Sequence, residues 1–118
     1  MPAFKISEVP KRYRPGFLRE LDKRTDTYLR LSSAYERLIN DLGGNYSALS
    51  HAKLALVERF VWLEELIRTM EMRSLRKPSE AAELSSRIIQ ASNSLQGIAR
   101  QIGLQKLAAV TALKAWER

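Results

Sequence analysis

Apolar positions recur along this chain at helical spacing. Leu84, Ile88, Ala91, Leu95, Ile98 and Ile102 follow one another at steps of four, three, four, three and four residues. That spacing keeps all six on one side of a helix with 3.6 residues per turn. A matching stripe precedes it: Leu56, Phe60, Leu63, Ile67 and Met70. Residues 50–103 therefore predict two long helices with a break at 75–79, where Pro78 stands. Two amphipathic helices with so short a connection favour an antiparallel hairpin. Ser50 is placed to cap the first and Ser79, followed by Glu80 and Glu83, to open the second. Gly103 marks the stop.

The first hairpin helix carries more apolar residues than one stripe needs. Leu54, Val57, Val61, Trp62 and Leu66 widen its arc, with Met72 beyond them. A helix with so wide an apolar arc buries more than one side. In a small chain a second copy is a natural cover, so these five residues are the expected oligomer interface. The alternative is that other helices of the same chain cover them.

An earlier helix is expected from Thr25 or Asp26 to Leu42, with Tyr28, Leu31, Tyr35, Leu38, Ile39 and Leu42 on one face. Gly43-Gly44 ends it. Residues 104–117 offer Leu107, Val110, Leu113 and Trp116 to one more helix. Residues 1–24 differ: Pro2, Pro10 and Pro15 favour extended backbone. The pattern predicts an all-α protein: a helical bundle built on a long antiparallel helical hairpin with a basic N-terminal arm. The arm is residues 1–24, and residues 25–118 form a single helical domain. Gly97, inside the last hairpin helix, suggests a close approach by another backbone.

Charge changes the picture. The chain of 118 residues has a formal net charge of +7, with 20 Lys and Arg against 13 Asp and Glu. Such an excess attracts polyanions, most often nucleic acid. It is concentrated in the arm, the hairpin tip and the C-terminal end. Lys11, Arg12, Tyr13 and Arg14 put three cations around one aromatic ring, a set suited to phosphates and base stacking. Arg73, Arg76 and Lys77 crowd the tip. These seven residues are the candidate nucleic-acid contacts. The bland alternatives are a basic surface that only confers solubility, and an arm that packs Phe4, Ile6, Val9 and Tyr13 onto its own or a neighbouring subunit.

Candidates for catalysis are few. There is no cysteine and one histidine, His51, which reads as a surface or capping residue at a helix start. Glu58, Glu64, Glu65 and Glu71 share a helix, but Arg59 and Arg68 stand among them and no Glu-x-x-His motif accompanies them. A solvated face is the simpler reading. No phosphate-binding glycine loop or nucleophile elbow is present. The expectation is no enzyme, no metal and no cofactor. No apolar run reaches the ~20 residues of a membrane span, and no signal peptide opens the chain. A cytoplasmic protein is expected.

The run Leu54-x-x-Val57-x-x-Phe60 with Leu63-Glu64, and the ending Leu95-Gln96-Gly97-Ile98-Ala99-Arg100-Gln101-Ile102-Gly103-Leu104, carry a resemblance. Over about residues 50–104 the chain resembles the helical hairpin and closing pattern of phage small terminase subunits. It also resembles short uncharacterised proteins of phages and bacterial mobile elements. The family's N-terminal DNA-reading domain has no counterpart here. The resemblance implies a homo-oligomer, in a bacterial host cell, that binds viral DNA and presents it to a larger motor subunit. The alternative is a small phage or mobile-element interaction module that docks on a larger nucleoprotein complex and inhibits or scaffolds it.

Overall fold

The computed structural model describes residues 6–43 and 49–103. These are mostly helical, with no named strand among them. The elements are α1 (Phe17–Glu20), α2 (Asp26–Leu42), α3 (His51–Arg76), a 3-10 turn (Pro78–Glu80) and α4 (Ala81–Ile102). Two caps stand where the sequence puts them. The Thr25 hydroxyl accepts from the Tyr28 N–H at 3.2 Å, and the Ser50 hydroxyl accepts from the Lys53 N–H at 3.1 Å. Each satisfies a backbone donor that the first helical turn leaves without an acceptor. Gly103 closes α4 in the left-handed conformation, with φ 89°.

The break between α3 and α4 is narrower than expected. α3 runs two residues past Ser74, to Arg76. Pro78, with its fixed φ and no N–H, opens the 3-10 turn, and α4 starts at Ala81 without a side-chain cap. Ser79 lies inside that turn instead of capping α4. Leu84, Ala91, Ile98 and Ile102 of the α4 stripe are buried, while Ile88 and Leu95 are half-buried. On α2, Leu31 and Ile39 are buried.

The burial of α3 reverses the expected division of its surface. Val57, Val61 and Trp62, assigned above to a neighbouring subunit, are buried inside the chain's own core. Leu54 and Leu66 are half-buried against that core. Of the predicted core stripe only Leu63 is buried; Leu56, Phe60, Ile67 and Met70 are half-buried. The cover is supplied by α2 and by the N-terminal segment, whose Ile6, Val9 and Tyr13 pack onto the chain's own core, as the packing alternative has it. Phe17 and Leu21 are fully buried in that common core.

Backbone bonds fix that segment. The Ile6 N–H donates to Glu20 O at 2.9 Å and the Asp22 N–H to Ile6 O at 2.8 Å, forming an isolated parallel bridge between Ile6 and Leu21. Trp62 Nε1–H donates to Pro10 O at 2.8 Å across 52 residues of sequence. Gly97 meets no close neighbour: a Cβ there would find nothing within 4 Å among the described residues. No described residue makes the close approach read from it. The expectations for Phe4, Gly44 and residues 104–117 lie outside the described residues.

Candidate nucleic-acid interface

The N-terminal segment turns sharply at Gly16, whose φ of 83° suits glycine. The turn is tied to α3 by one carboxylate. Glu58 Oε1 accepts from the Tyr13 hydroxyl and from the Gly16 N–H, both at 2.8 Å. The Tyr13 ring stands edge-on to Phe17 and Trp62, with centroids 6.2 and 5.8 Å away. The Arg59 guanidinium lies 5.2 Å from its centroid. Burial and the Glu58 hydrogen bond push the phenol above its ordinary range. Tyr13 is thus a structural bolt. Its hydroxyl bonds Glu58 and the Arg59 guanidinium lies over its ring, so the base-stacking role read from sequence would require these contacts to give way.

The bolt positions the two cations before it. Lys11 and Arg12 are exposed and make no ion pair among the described residues. They lie at the edge of a groove of about 1030 Å³ between the N-terminal segment, α3 and α4. Arg73 of α3 and Arg87 of α4 line the same groove. Arg73 pairs with Glu80 at 3.1 Å and Arg87 with Glu83 at 3.2 Å. Lys77 reaches Glu80 at 4.0 Å. The Arg73 bond and the two cations hold the Glu80 carboxyl below its usual range. Arg76 is exposed beside them, with no ion pair among the described residues.

Arg14 does not join this group. It pairs with Glu20 at 2.6 Å and is absent from the groove lining. Of the seven residues read from sequence, the structure brings Lys11, Arg12 and Arg73 to one groove and keeps Arg76 and Lys77 at the adjoining end of α3. Tyr13 packs against α3, and Arg14 forms an exposed ion pair with Glu20 away from the groove. Arg87 was missed. It lacks basic neighbours in sequence; its signal is its position four residues after Glu83 on α4.

The carboxylates of α3 are not all solvated. Glu65 is buried, accepts from Arg30 at 2.6 and 3.1 Å, and has Arg68 at 3.7 Å. Glu64, Glu71, Arg30 and Arg68 line a smaller hollow of about 410 Å³ with it. Among the described residues no group of three or more His, Cys, Asp or Glu is placed to hold a metal. None of their helices is long and apolar enough to cross a membrane. No protein-family model, curated protein or solved structure matches the chain.

Proposed function

We propose that this chain is a non-enzymatic, oligomeric DNA-associated protein of the host-cell cytoplasm, resembling a phage small terminase subunit that binds DNA for packaging. In this reading α3 and α4 are the two arms of a long antiparallel hairpin, and the basic N-terminal segment lies along it. The observation that supports the reading is one juxtaposition. Lys11 and Arg12 share a groove with Arg73 and Arg87, although some sixty or more residues separate them. Cations gathered from three elements form a surface for a phosphate backbone. Arg73 and Arg87 exchange their carboxylates for phosphate oxygens, and Arg76 and Lys77 extend the surface past the end of α3. The apolar surface left for a second copy includes Met72, Leu75 and Ile89, all exposed.

A duplex-DNA titration at two salt concentrations tests this, with the mass in solution recorded on the same sample. Affinity is expected to fall steeply with salt, because binding releases condensed counterions. In Lys11→Ala/Arg12→Ala the slope of log affinity against log salt should shrink by about 0.9 for each phosphate that is no longer neutralised. Arg14→Ala should change affinity less, since that side chain does not line the groove. Absence of binding at low salt would sink the proposal.

A second reading is favoured by the groove floor, which is apolar at Leu63, Leu66, Met70, Leu84 and Ala91. In it the chain is an interaction module that docks on a larger nucleoprotein complex and inhibits or scaffolds it. Protein binding without intrinsic DNA binding separates the two readings.

A further inference from the structure

We infer that the groove between the N-terminal segment and the α3–α4 pair is a docking site for an acidic amphipathic helix of another protein. The inference rests on the interaction-module reading and requires no DNA binding, so the DNA titration and the experiment below fail independently.

Three features of the groove select the occupant. The first is its size. The α3 wall runs from Leu63 to Arg73, which at 1.5 Å per residue is about 15 Å, or three helical turns. A volume of about 1030 Å³ is at the upper end of the ~300–1,000 Å³ typical of small-molecule pockets. The second feature is its apolar floor and its helical walls. Apolar side chains at i, i+3 or i+4 and i+7 of a docked helix would meet that floor. The backbone groups of α3 and α4 are bonded within their own helices, so an extended peptide would find no strand edge on those two walls.

The third feature is charge. Four cations and two carboxylates line the groove, so its rim is net positive. Glu80 and Glu83 each face one arginine, while Lys11 and Arg12 have no acidic neighbour in an ion pair among the described residues. Carboxylates on the flanks of an incoming helix complement them. A nucleic-acid strand inside the groove is disfavoured. Among the described residues no aromatic ring lines it for bases to stack on, and its apolar floor offers phosphates nothing.

The test uses the full chain and synthetic fluorescent peptides of about 14 residues, long enough for more than three turns. One is an amphipathic Leu/Glu helix, one has the same composition scrambled, and one carries Lys in place of Glu. The amphipathic Glu peptide should bind at least about tenfold more tightly than the scramble, a difference beyond general charge attraction. The Lys peptide should not bind. Thr69 and Arg87 are exposed groove residues. Thr69→Glu and Arg87→Glu should each weaken the Glu peptide about tenfold with unchanged helicity by circular dichroism. A photo-cross-linker in place of Thr69 should label the bound peptide.

Equal affinity for the amphipathic and scrambled peptides would overturn the inference. So would binding indifferent to both substitutions. Cross-linking to residues 104–118, or to a second copy, under saturating peptide would assign the groove to that occupant and overturn it as well.

Discussion

Glu65 is the one buried charged residue among those described, and it shows how a surface-looking carboxylate becomes internal. Its two bonds from Arg30 and the nearby Arg68 neutralise it where α2 crosses α3. Removing one member of a fully buried pair costs about 3–5 kcal/mol. Arg30 is partly exposed, with 40% of its side-chain surface open, and Arg68 remains, so Arg30→Ala should cost about 1–2 kcal/mol, below that range. Urea denaturation measures it. The double change Arg30→Met/Glu65→Leu should recover much of the loss, since no charge is then left buried. Tyr13→Phe, which removes one donor from Glu58, should cost about 1–2 kcal/mol. Burial and the Glu58 bond favour the neutral phenol in the folded state. Its stabilisation is therefore complete below the ordinary phenol pKa and is lost as pH rises through the raised one. Melting temperature should fall above about pH 10, and less steeply in Tyr13→Phe. Identical alkaline limbs would contradict the bolt assignment. Sequence exposed the cations around Tyr13 but not its ring contacts, which depend on Glu58 and Trp62 more than forty residues away.

Elements were legible where local signals decide them. Thr25, Ser50 and Gly103 act within one helical turn, and each stands at its predicted terminus. The face of α3 that enters the core was not legible. Periodicity measures the width of an apolar arc and is silent on what covers it. The cover over Trp62 comes from Pro10 and Tyr13, in a segment whose prolines announce extended backbone but not its destination. Gly97 shows the same limit. An interior glycine is consistent with close helix packing, yet no described residue comes within 4 Å of its absent Cβ. Gly97→Ala should therefore stabilise the protein by about 0.5–1 kcal/mol through helix propensity. Gly103→Ala places a side chain at positive φ and should destabilise by about 1–2 kcal/mol. Thermal denaturation of both variants checks the opposite signs.

At the scale of the whole molecule, the net charge was legible and its gathering was not. Residues 11–12, 73 and 87 become neighbours only because the N-terminal segment is bolted onto α3 while α4 returns beside it. Charge counting along the chain therefore included Arg14 and omitted Arg87. The central claim is that this assembled surface, rather than net charge alone, holds DNA. The most direct measurement compares duplex-DNA affinity at two salt concentrations for the native chain, Lys11→Ala/Arg12→Ala, and a control that removes two cations elsewhere, Arg37→Ala/Arg100→Ala. All three carry enough positive charge to attract DNA, but only the first double variant alters the groove. Binding should weaken in the groove variant, with a salt slope smaller by about 1.8, while the control stays close to the native chain. Equal losses of affinity in the two double variants would contradict the claim, and would leave the affinity to net charge without a site.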